Sequence, residues 1–154
     1  MGRIQDACEQ VLQDEGWDYE VAIQGGRETI VFGFTGVEAH FGCRFDVYED
    51  TERLCFLAYY QPTVPEELRV AVAEYLTRAN FAVLVGNFEL DFETGDVRFR
   101  ASADVESLEL TPVFVKNLAL ASLITAEKYF PGLVKVLENG LSPADAFSIV
   151  RSMH

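Results

Sequence analysis

Phe88-Glu89-Leu90-Asp91-Phe92-Glu93-Thr94-Gly95-Asp96-Val97-Arg98-Phe99-Arg100 is the stretch that decides the fold. Apolar and charged residues alternate on both sides of Thr94-Gly95, the period of a half-buried antiparallel ribbon. A two-residue turn there sets Phe92 opposite Val97, Leu90 opposite Phe99, Asp91 opposite Arg98 and Glu89 opposite Arg100. One face is then apolar, and the other carries two cross-strand ion pairs. Each surface pair is worth only about 0.2–1 kcal/mol, so the apolar alternation sets the register.

The same reasoning carries upstream. With Asp50-Thr51 as a hairpin tip, Val47 lies opposite Leu54, Phe45 opposite Phe56, Cys43 opposite Ala58 and Phe41 opposite Tyr60. That is one coherent core face. Its reverse holds Arg44, Asp46 and Tyr48 together with Cys55, Leu57 and Tyr59, half polar and half apolar. A strand with large side chains on both faces is central, covered twice, or part of an interface. Before it, Trp17 to Ile23 alternate up to Gly25-Gly26, and Ile30, Phe32 and Phe34 point one way from the next strand, with Thr29, Val31, Gly33 and Thr35 the other.

Helical periodicity accounts for the rest. Ile4, Cys8, Val11 and Leu12 share one stripe ahead of Gly16. Gln61-Pro62-Thr63-Val64-Pro65 leads into a helix to about Ala79, with Thr63 and Glu66 at capping-box spacing. Thr111-Pro112 opens a second long helix, a hydroxyl cap followed by proline. Its centre, Leu118 to Ile124, is apolar almost all round. Pro131 is expected to restart the pattern as a separate helix ending at Gly140, and Ser142-Pro143 opens the last one. The expected order is α-β-β-β-β-α-β-β-α-α-α in one domain, residues 1–154. The class is α+β, an antiparallel β-sheet packed with helices gathered on one face.

A chain of 154 residues buries about 68–70% of its extended surface. Its hydrophobic share of 49%, with twelve Phe and six Tyr, argues against disorder. The net charge of −13 repels nucleic-acid phosphates, and no Lys/Arg cluster reverses it locally, so no nucleic acid is expected. No run reaches the length of a membrane span, and no basic region followed by a long apolar stretch opens the chain. A cytoplasmic protein without a membrane partner is therefore expected. Cys8, Cys43 and Cys55 lack metal-ligand spacing and sit in apolar surroundings, which makes them buried thiols. Cys43 and Cys55 fall on opposite faces, so no disulfide joins them.

Catalytic and metal chemistry find little support. His40 stands alone in a strand and His154 ends the chain. Asp46, Glu49, Asp50 and Glu52 crowd a hairpin tip without EF-hand spacing, and read as a solvated turn. No serine has a convincing histidine partner. The glycines form neither a phosphate loop nor a dinucleotide fingerprint. No cofactor, no metal and no catalytic residue is expected.

What remains is an apolar surplus. Val31, Cys55, Leu57 and Tyr59 lie away from the core face, and Leu118, Leu120, Leu123 and Ile124 exceed what one helix-on-sheet layer needs. Three arrangements would cover them: a homodimer seam, a groove for a protein or peptide client, or the C-terminal helices wrapping the far side of the sheet. The homodimer is the leading expectation.

The stretch Asn80 to Arg100 resembles the central signature of the YbjN-like family. There a helix ends near Asn and leads through a Gly-x-Phe-x-Leu-Asp strand, a Gly-containing turn and a Val-x-Phe/Tyr-Arg strand. Ala126-Glu127-Lys128-Tyr129-Phe130-Pro131-Gly132-Leu133 resembles the family's aromatic-Pro step into the last helices. The likeness spans about residues 10–150 in element order. Here Gly86 is followed by Asn87 before Phe88, a small departure that shifts where the strand begins. The resemblance implies a type III secretion chaperone-like fold, in which α/β dimers hold extended clients along apolar surfaces. It assigns structural roles to Gly86, Phe88, Leu90, Phe92, Gly95, Val97 and Phe99, and no catalytic ones. The expected function is a non-enzymatic protein-interaction module, chaperone-like or regulatory. The rival is a small enzyme or ligand-binding protein with a cleft between sheet and C-terminal helices.

Overall fold

The computed structural model describes residues 2–153. Its order is α1 (Arg3–Glu15), β1 (Tyr19–Gln24), β2 (Arg27–Thr35), β3 (His40–Tyr48), β4 (Arg53–Tyr60), a 3-10 turn (Glu66–Leu68), α2 (Arg69–Asn80), β5 (Asn87–Leu90), β6 (Val97–Asp104), α3 (Pro112–Glu138) and α4 (Pro143–Ser152). The six strands form one sheet in the order β1-β2-β3-β4-β6-β5, and every neighbouring pair is antiparallel. The α+β class and the antiparallel sheet read from the sequence are those of the structure.

The β3–β4 hairpin has the expected register throughout, from Phe41 opposite Tyr60 to Val47 opposite Leu54. The Phe88–Arg100 ribbon differs. Phe88 pairs with Phe99, Glu89 with Arg98 and Leu90 with Val97. This is two residues from the expected register, a shift that keeps every side chain on its face. The cause lies in the loop. Asp91 accepts the Glu93 N–H on its carboxylate at 2.8 Å and the Gly95 N–H on its carbonyl at 2.7 Å. Gly95, at φ 81°, lies so close to Val64 that a β-carbon would collide with that residue's backbone. Val64 N–H donates to the Gly95 carbonyl at 2.8 Å, and Arg69 reaches the Val64 and Phe92 carbonyls at 3.1 and 2.8 Å. Residues 91–96 are therefore a loop docked on the approach to α2. Phe92 is left 54% exposed instead of joining the core, and Asp91 does not face Arg98.

Two helix expectations also change. Thr63 does not cap the second helix: the 3-10 turn intervenes, with Pro65 at its N-cap. Pro131 does not divide the C-terminal region, because it sits inside the single 27-residue α3. Its missing N–H removes one helical bond, while packing holds the helix on both sides of the gap. Tyr60 and Tyr75 donate from the core to the Ala126 and Tyr129 carbonyls, each at 2.6 Å. Gly132 lets Tyr75 and Val150 press directly on the helix backbone.

All helices pack on one sheet face. Ile4, Cys8 and Leu12 of α1 share one core with Phe32, Phe45 and Phe56 of the sheet, and it continues through Tyr75, Phe88, Phe99 and Tyr129 to Val150 of α4. Between sheet and C-terminal helices the rings pack on one another, Phe88 against Phe99 at 4.9 Å and against Tyr129 at 5.5 Å. No described helix wraps the far side of the sheet.

Candidate functional site

The uncovered sheet face is built by alternation: every second residue of each strand points there. Cross-strand pairing lines up Gly33, Gly42, Tyr59, Arg98 and Glu89 in one row, and Val31, Arg44, Leu57, Arg100 and Asn87 in the next. Thr29, Asp46, Cys55 and Ser102 form a third row, with Arg27 and Tyr48 beyond it. Arg27, Arg44, Arg53, Arg98 and Arg100 are five of the chain's twelve basic residues. Each contacts a carboxylate on this face: Arg27 and Arg44 meet Asp46, Arg98 and Arg100 meet Glu89, and Arg53 meets Asp104.

The hydrogen-bond geometry is close. Arg98 donates to Glu89 and to the Tyr59 hydroxyl, both at 2.7 Å, and Arg100 donates to Glu89 at 2.6 Å. Burial opposes charge on the Glu89 carboxyl, but the bonds and positive charges of Arg98 and Arg100 outweigh it and hold the group below its ordinary range. The guanidiniums of Arg44 and Arg98 stand 5.8 and 5.7 Å from the centre of the Tyr59 ring. Asp46 is buried, with the Arg44 Nε 2.8 Å from its Oδ1. Asp46 therefore belongs to this face and not to a solvated turn. Its neighbours are engaged too: Glu49 accepts the Ile4 and Gln5 N–H groups at the start of α1, and Glu52 pairs with Arg3 at 2.8 Å.

The expected interface residues divide between two sides of the molecule. Val31, Cys55 and Tyr59 are half-buried on the open sheet face. Leu57 lies there too but is 1% exposed, between its cross-strand neighbours Arg44 and Arg100. The aliphatic stems of those arginines shield it. Leu118, Leu120, Leu123 and Ile124 sit on α3, across the core. Leu123 is buried, Leu118 packs against the core and Leu120 is half-buried, while Ile124 is 68% exposed. The two groups do not share one surface. Of the family-signature positions, Phe88, Val97 and Phe99 are buried in the core and Leu90 packs against it. Gly86, at φ 79°, lies 2.6 Å from the Arg100 carbonyl and the Phe99 ring at its β-carbon position. Asn80 closes the unit, accepting from Phe88 N–H at 2.6 Å and donating to the Phe88 carbonyl at 3.1 Å.

His40 is exposed, and its Nδ1 lies 3.0 Å from the Thr35 hydroxyl across the β2–β3 pair. His154 lies outside the described residues. All three cysteines are free, with Cys8 and Cys43 buried on the core side. No helix of the described residues is long and apolar enough to cross a membrane.

The feature missed in the sequence is the Gly33–Gly42 pair. Neither glycine has a left-handed backbone. A β-carbon at Gly33 would meet nothing within 4 Å, and one at Gly42 only the Gln61 amide at 3.8 Å. Beside this bare backbone lies a trough of about 660 Å³, lined by Gly42, Val31, Arg44, Tyr59, Asp18 and Glu20 among others. Adjacent interior glycines without a conformational need mark a place where another group approaches the backbone. The available signal was that both sit on the outward phase of their strands. It stayed hidden because the β2–β3 connection is not a two-residue turn. It is instead pinned by Glu127 of α3, which accepts the Glu38 and Ala39 N–H groups at 2.8 and 3.1 Å.

No curated protein matches the chain's sequence. Among solved structures, the fold is similar to the crystal structure of YbjN, described as "a putative transcription regulator from E. coli". The TM-score is 0.57 and the identity 18%, with 79% of this chain and 87% of that one covered, so this likeness bears on fold alone. A family model described as "putative bacterial sensory transduction regulator" matches residues 5–135, and the chain belongs to that family, YbjN.

Proposed function

We propose that the protein is a non-enzymatic regulatory interaction module of the bacterial cytoplasm. Its open sheet face receives an extended segment of a partner protein, one that carries an aromatic or large apolar side chain between lysines or arginines. The observation that carries this reading is the bare Gly33–Gly42 pair beside Tyr59, on a face that no described helix covers. The trough offers an apolar floor, and Tyr59 offers a ring edge for an incoming aromatic side chain.

Charge selects the partner. Each of the face's five arginines already contacts one of three carboxylates, Asp46, Glu89 and Asp104. Asp18 and Glu20, at the rim of the trough, have no ion-pair partner among the described residues. The side chains at the mouth left without an ion pair are therefore these two carboxylates, on a chain of net charge −13. A basic segment is drawn in and an acidic one repelled.

The test is fluorescence anisotropy with a labelled nonapeptide, a central Phe flanked on each side by two lysines. A second peptide carries glutamates in place of the lysines. The basic peptide binds the native protein saturably and the acidic one does not. Gly42→Val, whose side chain enters the trough and suits a strand, weakens binding at least tenfold, and so does Asp18→Asn with Glu20→Gln. Absence of saturable binding, or equal binding by Gly42→Val, contradicts the reading.

A further inference from the structure

The five arginines of the open face are scattered through the sequence, and strand pairing gathers them around three carboxylates, Asp46, Glu89 and Asp104. A chain with 25 acidic and 12 basic residues thus carries a patch where cations outnumber anions. Not all of these arginines are equally engaged. Arg27 and Arg44 meet the buried Asp46, and Arg98 donates to Glu89 and to the Tyr59 hydroxyl. Arg53 comes only within 3.7 Å of Asp104, beyond hydrogen-bond length, on a side chain 60% exposed. Arg100 donates to Glu89 through Nη2, while its Nε is buried without a hydrogen-bond partner.

Arg53 and Arg100 line a hollow of about 410 Å³ over the β4–β6 pair, with Tyr48, Thr51, Cys55 and Ser102. The Tyr48 and Thr51 hydroxyls make no hydrogen bond among the described residues. Ser102 donates only to the Cys55 sulfur at 3.6 Å, a weak acceptor. Asp104 is the one carboxylate in the lining. Its Oδ1 accepts the Glu106 N–H at 3.0 Å, and its Oδ2 faces Arg53. The hollow is therefore rich in donors that lack a strong acceptor. Two guanidiniums and three hydroxyls on a concave surface suit an oxyanion. A carboxylate brings two oxygens and a single charge, whereas a phosphoryl group brings three acceptor oxygens and a charge of about −1.5 to −2. Five arginines against three carboxylates leave two positive charges over, which fits the phosphoryl group.

Position identifies what carries it. Along β4, Cys55 lies four residues from Tyr59 at the trough, about 13 Å in an extended chain. A segment whose aromatic side chain sits beside Gly42 reaches the hollow with a residue about four positions away. A nucleic acid suits the face less well, because a polyanion would also have to pass Asp18 and Glu20 on a chain of net charge −13. A segment that is basic around its aromatic residue and bears one phosphoryl group meets opposite charge at both places. We propose that the Arg53–Arg100 hollow holds a phosphorylated serine or threonine of the partner segment, so that phosphorylation of the partner strengthens its capture. This rests on the reading of the open face as a peptide-binding surface.

Fluorescence anisotropy on the full chain tests it with the basic nonapeptide, whose central Phe has four residues on either side. Two derivatives carry phosphoserine at the first or the last position. One of them should bind about tenfold or more tightly than the unmodified peptide, and its position gives the direction of the segment. Arg53→Gln and Ser102→Ala, both at exposed positions, should remove that gain and leave the affinity for the unmodified peptide as it is. Gly42→Val should weaken binding of all three peptides. No gain from phosphoserine at either end, or a gain that survives Arg53→Gln, would overturn the proposal and leave the trough standing if the unmodified peptide binds. A phosphopeptide that binds through Arg53 when the unmodified peptide does not bind would uphold the hollow and refute the trough. Inorganic phosphate or a deoxythymidine octanucleotide binding as tightly as the phosphopeptide would also overturn the proposal. The first would assign the hollow to a small anion and the second to nucleic acid.

Discussion

Gly86 and Gly42 show how differently two strand-proximal glycines are used. Gly86 has a positive φ and no room for a β-carbon between the Arg100 carbonyl and the Phe99 ring. Gly86→Ala should therefore cost about 1–3 kcal/mol, read from urea unfolding. Gly42→Val should leave stability within about 0.5 kcal/mol, because its side chain enters open space. The same contrast explains what was legible. Gly86, Gly95, Phe88 and Phe99 stand in a dense alternating pattern whose phase fixes their roles. Gly33 and Gly42 acquire meaning only when two strands are brought side by side. Asn80 was read as a helix end, and its pairing with both backbone groups of Phe88 emerged only in three dimensions. Asn80→Ala leaves those two groups on the outer edge of β5 without their partner. It should cost about 1–2 kcal/mol and speed exchange of the Phe88 amide proton in deuterium.

At the scale of elements, alternation gave the strands, and turn chemistry decided which registers could be read. Asp50-Thr51 is flanked by unbroken alternation, and the β3–β4 register followed from it residue by residue. Thr94-Gly95 looked equally simple, yet Gly95 is held by Val64 and Arg69, distant neighbours that no local pattern reveals. Pro131 failed as a helix boundary for a related reason. A proline inside a helix costs about 3 kcal/mol or more, but the buried Tyr60 and Tyr75 hydroxyls hold the α3 backbone around it. Tyr75→Phe removes the donor from a buried carbonyl while keeping the ring. The expected loss is about 1–3 kcal/mol in chemical denaturation, without loss of helical circular dichroism. Capping was read correctly at the other end of α3, where the Thr111 hydroxyl accepts Phe114 N–H at 3.2 Å.

For the whole molecule, the fold is a one-sided sandwich with its working surfaces on the outside. The buried acids without charge make it sensitive to alkali. Burial pushes the Cys43 thiol up to about 12 and also raises the Cys8 thiol and the Tyr60 and Tyr75 hydroxyls well above their ordinary values. Between the unfolded and folded values the native state holds more protons than the unfolded one, so stability falls as pH rises from about 9. Glu89 has the opposite sign: its lowered value adds stability above the ordinary carboxylate range, lost as pH falls through its folded value. Urea midpoints measured from pH 3 to 11 should trace both flanks. Cys8 and Cys43 should resist a thiol reagent at pH 8 while Cys55, half-buried on the open face, reacts first.

Class and core were legible because alternation and helical stripes report burial directly. The working surface was less so, since a surplus apolar residue reads alike whether the protein's own core, an arginine stem or nothing covers it. Leu57, Leu123 and Ile124 are three such residues with three outcomes. The most direct test of the open face is therefore unbiased: selection of a random dodecapeptide display library on the native protein and, in parallel, on Gly42→Val. The native protein should enrich sequences with an aromatic residue between lysines or arginines, and Gly42→Val should not. Enrichment of no common pattern, or of the same sequences on both proteins, would contradict the account.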